Sequence, residues 1–124
     1  MEIAIHDNRK LRDIQSEFRT YFPYLKIEFF DVPYEPGKAQ RRDHLLMPER
    51  KVGACRKIHR DGAIEIIPGK TVMQLENEFW SQFGLSVQVF RHSGNVWIET
   101  SLTDSWSLKR QNDEGRELSF GHVL

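Results

Sequence analysis

The chain has a single cysteine, Cys55, so it can form no internal disulfide. A lone thiol fits a reducing compartment better than an oxidising one. Long apolar runs are missing too, and without them no segment reads as a membrane-spanning helix. The opening residues, Met1 to Asp7, lack the basic start and apolar stretch of a secretory signal. These absences point to a cytoplasmic protein with no membrane partner.

Net charge is also absent, since 18 basic residues balance 18 acidic ones. The balance is uneven along the chain. Residues 1–37 carry five basic and seven acidic side chains, and residues 61–124 carry five and nine. Residues 38–60 carry eight basic side chains against two acidic ones. The eight are Lys38, Arg41, Arg42, Arg50, Lys51, Arg56, Lys57 and Arg60. Such a block is a candidate contact surface.

What is present in quantity is internal similarity. At an offset of 61, Ile3 and Ile5 fall on Ile64 and Ile66, Leu11 on Val72, Ile14 on Leu75, Phe18 on Phe79, and Phe22 on Phe83. One extra residue near Pro23-Tyr24 changes the offset to 60, and Leu25, Ile27, Phe29 and Phe30 fall on Leu85, Val87, Val89 and Phe90. The apolar spacing in each copy predicts a strand, an amphipathic helix and a second strand. Thr71 with Gln74 has the form of a capping box, and Gly84 suits the end of that helix. Asp7 or Asn8 is expected to cap the first helix. A turn at 93–95 leads to a hairpin strand at 96–102. A third helix is capped by Thr103 or Asp104 and ends at Gly115.

A chain of 124 residues forms one domain by default. The expected fold is α+β: a ferredoxin-like two-layer sandwich built from a duplicated β-α-β(β) unit. The first copy spans 2–31, a basic insertion 38–60, the second copy 63–102, and a C-terminal helix 103–117. Val52 to Cys55 is a candidate extra strand of the first copy. A glyoxalase-type tandem fold has similar length and repeat. The third helix and the lack of matching His or Glu on the strands argue against it, since His6 aligns with Ile67.

Motifs for chemistry are scarce. Pro68-Gly69-Lys70-Thr71 resembles the end of a phosphate-binding loop, but Ile64 stands where the first glycine is needed. It reads as a turn and a helix cap. Cys55, with His59 and Asp61 nearby, matches no cysteine-enzyme signature. The five histidines (His6, His44, His59, His92 and His122) form no metal-ligand spacing. No catalytic residue, metal or cofactor is implied.

Two surfaces remain. One is the basic insertion, which Leu45, Leu46 and Met47 would anchor. The other is the sheet face opposite the helices. It would carry Phe30, Phe90, His92 and Trp97 among polar residues, unless the third helix covers it through Trp106 and Leu108, or another subunit does. The leading expectation is a small binding or assembly module that docks to a protein partner or to itself as a homodimer. The alternative is a domain binding RNA or single-stranded DNA through the basic insertion and the aromatic face. A small-molecule enzyme comes third.

Overall fold

The computed structural model describes residues 1–120. His122 therefore lies outside the described residues. Strand β1 (Glu2–Ile5) buries Ile3 and Ile5 and turns Glu2 and Ala4 to solvent. Helix α1 (Leu11–Tyr21) buries Leu11, Ile14 and Phe18, the stripe its sequence spacing predicts. Strand β2 (Leu25–Phe30) follows. The second copy gives β3 (Gly62–Glu65), α2 (Val72–Phe83) and β4 (Ser86–Ser93). Strand β5 (Val96–Glu99) and helix α3 (Leu108–Phe120) complete the order. The fold is α+β. Among the described residues no helix is long and apolar enough to cross a membrane.

The strands form two antiparallel sheets, β1–β3 and β2–β4–β5. A ferredoxin-like sandwich would run the four repeat strands in one sheet. Here each copy contributes its first strand to one sheet and its second strand to the other. The outer edge of β2 is already occupied. Gln15 Nε2 donates to Ile27 O at 3.0 Å, and Leu46 N–H donates to Phe29 O at 2.8 Å. In the small sheet Ile3 stands opposite Ile64, and in the larger one Glu28 stands opposite Gln88.

The core lies between the helices and one face of β2 and β4. Leu25, Ile27, Phe29, Val87 and Val89 are buried there with Phe18 and Phe79. The Phe29 and Phe79 rings meet edge-on, 6.0 Å apart at 87°. The predicted capping box is formed at Thr71, with Thr71 Oγ1 accepting from Gln74 N–H at 3.1 Å. Thr71→Ala is expected to cost about 1 kcal/mol in a denaturation experiment.

Three local expectations are corrected. Helix α1 begins after Lys10 with no side-chain cap. Its first two N–H groups donate instead to Arg50 O and Pro48 O, each at 2.9 Å, so the insertion caps it. Val52–Ala54 is a 3-10 turn, not a strand. Its N–H groups at Val52 and Gly53 reach back to Arg9 O and Asp7 O. Helix α3 starts later than expected, with Ser107 Oγ accepting from Arg110 N–H, and it runs through Gly115. A Cβ at Gly115 would stand 2.9 Å from Tyr24 Cβ and 3.1 Å from His92 O. The glycine permits close packing of α3 on β4 rather than stopping the helix.

Candidate functional site

The insertion is ordered and tied to the rest of the chain, with Leu46 and Val52 in the core. Its eight cations do not form one surface. Arg56 has a fully buried side chain. Its Nε and Nη2 bind Asp7 Oδ1 at 3.0 and 2.8 Å, and its Nη1 donates to Arg60 O and Phe83 O at 2.8 and 3.3 Å. Asp7 Oδ2 also meets His59 Nδ1 at 2.8 Å. The Arg56 hydrogen bond holds the Asp7 carboxyl below its ordinary range. Arg56 is thus a tie between segments rather than part of a contact surface.

Other cations have nearby carboxylates. Arg42 meets Glu28 at 2.6 Å, Arg41 meets Asp43 at 3.1 Å, and Lys38 meets Glu35 at 3.4 Å. Arg50 gives one N–H to Ala54 O. Lys51, Lys57 and Arg60 are exposed, with no ion pair among the described residues.

The face of β2 and β4 opposite the helices is partly closed. Phe30 and Phe90 are only 3% and 8% exposed, so they offer no open platform. The insertion provides cover here: Gln40 N–H donates to Gln88 Oε1, Arg42 holds Glu28, and Leu45 bridges to Phe30. Helix α3 does not cover this face through Leu108, which sits in the core. His92 and Trp97 remain half-exposed, with rings 4.8 Å apart. The Lys26 ammonium and the Arg19 guanidinium lie 4.9 and 5.0 Å from the Trp97 ring. His92 Nδ1 meets Ser119 Oγ at 2.8 Å.

A buried polar cluster, not foreseen from the sequence, stands where β5 parts from β4. Glu76 Oε2 accepts from Val89 N–H at 3.0 Å, and Thr100 Oγ1 donates to Val89 O at 2.8 Å. Burial pushes the Glu76 carboxyl up to about 8, with Asp104 and Glu99 adding to the effect and the Val89 N–H opposing it. The Tyr34 hydroxyl lies beside Glu76 but outside hydrogen-bond geometry, and Asp104 Oδ2 is likewise unpartnered. One signal was available: Glu76 lies four residues after Val72 and three before Phe79, within the apolar stripe. Lys70, by contrast, is engaged with Glu78 at 2.8 Å and with Glu65 O. It is not free to hold an anion.

Three surface features remain open. A groove of about 320 Å³ runs beside β2, with Arg12, Arg19, Lys26 and Arg42 against the single carboxylate Glu28. A larger pocket of about 650 Å³ lies between the insertion and the C-terminal end of α2. Finally, β5 pairs with β4 on one side and with no described strand on the other. Its Val96 and Ile98 are 54% and 42% exposed, and Leu102 just beyond is 94% exposed.

Among the described residues no group of three or more His, Cys, Asp or Glu side chains is placed to hold a metal ion. The chain matches no protein-family model, and no curated protein or solved structure is significantly similar to it.

Proposed function

We propose that this chain is a non-enzymatic assembly module that pairs with a second copy of itself through β5. The observation that carries the proposal is the unprotected edge. Soluble proteins usually guard an edge strand with lysine, proline, a bulge or a cover. Strand β5, Val-Trp-Ile-Glu, carries no lysine or proline, and its one charge, Glu99, sits at its end and accepts from Ser101 N–H at 2.8 Å. Its backbone groups are a template for another strand, and exposed Val96 and Ile98 would gain burial from the pairing. Two β5 strands related by a two-fold axis give a continuous six-stranded sheet, a closed and self-complementary contact.

Light scattering over a wide concentration range is the test, and a dimer is expected. Ile98→Lys places a charge on the edge twice in the symmetric pair. It is expected to weaken the dimer by roughly tenfold or more, equivalent to ~1.4 kcal/mol. Because Ile98 is exposed, the folded monomer should keep its thermal midpoint. A wild-type protein that stays monomeric at every concentration would end this reading.

A nucleic-acid-binding domain is the second reading, and the cationic groove beside β2 favours it. It predicts affinity for single-stranded RNA or DNA that falls steeply with salt. Several features fit it less well. Lys26 and Arg42 both face Glu28, Phe30 and Phe90 are covered, and Lys26 and Arg19 already flank Trp97. The reducing cytoplasm suits a chain whose one cysteine has no disulfide partner. Duplication of a β-α-β unit is supported by the strand registers. Ile3 faces Ile64 and Glu28 faces Gln88, so residues 61 and 60 apart stand across from each other.

A further inference from the structure

The pocket between the insertion and α2 plays no part in β5 pairing, and its chemistry is two-sided. At about 650 Å³ it lies in the size range of small-molecule sites. Phe30, Leu46, Ile58 and Trp80 supply apolar wall. Trp80 and Ile58 are partly left in water, although both are large and apolar. The Ile58 wall is built into the fold rather than loosely draped. Gly84, at φ +66°, would bring a Cβ within 2.7 Å of Ile58 Cγ1, so only glycine lets Ile58 close on the end of α2.

The polar side of the pocket is positive. Arg50 and Lys57 line it without a carboxylate partner among the described residues. Arg56 also lines it, but its charge is matched by Asp7. The one lining carboxylate, Asp31, meets His44 at 3.1 Å. Ser86 also lines the pocket; it is buried, and its Oγ is shut off from solvent and has no hydrogen-bond partner. A buried hydroxyl left unpaired is a cost that native structures seldom leave standing. An acceptor atom from a bound molecule would remove it.

We infer that this pocket binds a small amphipathic anion of the aromatic carboxylate class. The aromatic body packs against Trp80, Ile58 and Leu46. The carboxylate faces Arg50 and Lys57, and rotation of the Ser86 side chain lets its Oγ–H donate to one of the carboxylate oxygens. Binding is non-covalent. Burial pushes the Cys55 thiol upward, with Arg50 only partly opposing, so the nearby cysteine stays protonated and is a poor nucleophile.

The test is a titration of the full-length protein with 2-naphthoate, followed by amide and indole NMR shifts. 2-Naphthylmethanol and 2-naphthylmethylammonium serve as the neutral and cationic counterparts. Saturable shifts are expected at Ser86, Arg50, Lys57 and the Trp80 indole. Naphthoate should bind about tenfold more tightly than the alcohol, and the amine most weakly. Ser86→Ala should weaken naphthoate by roughly fivefold to tenfold. The exposed pair Arg50→Gln and Lys57→Gln should erase the preference for the acid while leaving alcohol binding unchanged, which also shows that the pocket still folds. Equal binding of acid, alcohol and amine, shifts centred elsewhere, or no saturable shift would each overturn the assignment. None of these outcomes bears on the oligomeric state, so this proposal and the β5 dimer stand or fall separately.

Discussion

Replacing Arg56 with methionine is expected to destabilise the protein by about 3 kcal/mol, the range for breaking a buried charged network. The guanidinium joins three places that are distant in sequence: Asp7 after β1, Arg60 leading into β3, and Phe83 at the end of α2. Methionine fills much of the space but leaves the Phe83 and Arg60 carbonyls without their donor. Asp7 retains His59, so the loss comes chiefly from the orphaned carbonyls and from the tie itself. Arg56→Lys keeps the charge but not the planar fork, and it should recover only part of the stability. Urea denaturation with an unchanged slope measures both variants. If Arg56→Met lost less than about 1 kcal/mol, Arg56 would be acting as an ordinary surface pair.

The second large effect is a dependence on pH. Glu76 is ordinarily half-ionised at 4.5, but in the folded protein its carboxyl is held up to about 8. Between those values the unfolded chain has released this proton and the folded chain has kept it. The Glu76 contribution to stability is therefore fully present below pH 4.5. It declines as pH rises toward 8, with a limiting slope of about 1.4 kcal/mol per pH unit. Above that range the loss is complete and the contribution is flat. Asp7 acts in the opposite sense: its lowered value supports the fold above its ordinary 3.8 and is lost as pH falls. Glu76→Gln separates the two. Its side-chain oxygen can still accept from Val89 N–H, but it has no proton to lose. The difference in denaturation midpoint between wild type and Glu76→Gln is expected to grow in favour of the variant from acid to alkaline pH. Parallel curves would mean that Glu76 titrates normally in the fold.

The contrast between these two residues shows what could be read before the fold was known. Periodicity located α1, α2, β2 and β4, because a 3.6-residue stripe and a two-residue alternation are local properties. The Thr71–Gln74 cap was legible for the same reason. Glu76 was legible in principle, as a charge on an apolar stripe. Arg56 was not. Its place in a block of cations suggested a solvated surface, but its partner Asp7 lies 49 residues away. The α1 cap was hidden in the same way, since Arg50 O and Pro48 O carry no side-chain signature. Gly115 resembled a helix stop until Tyr24 and His92 were seen to approach it. The aromatic face was correct in parity, but its cover came from a segment with no regular pattern. The pocket needed α2, β4 and residues 54–58 assembled together, and no stretch of sequence encodes that meeting.

The division of strands between two sheets has a consequence for how the protein is made. No strand of the first copy pairs with another strand of that copy: β1 bonds to β3, and β2 bonds to β4. On a ribosome the first sixty residues would emerge as a helix with two strands and no sheet to join. They must wait for residues 62–93 before either strand acquires a partner strand. That interval leaves Ile3, Ile5, Ile27 and Phe29 uncovered on a nascent chain. It is a period of vulnerability to aggregation, and folding dominated by such distant pairings is intrinsically slow.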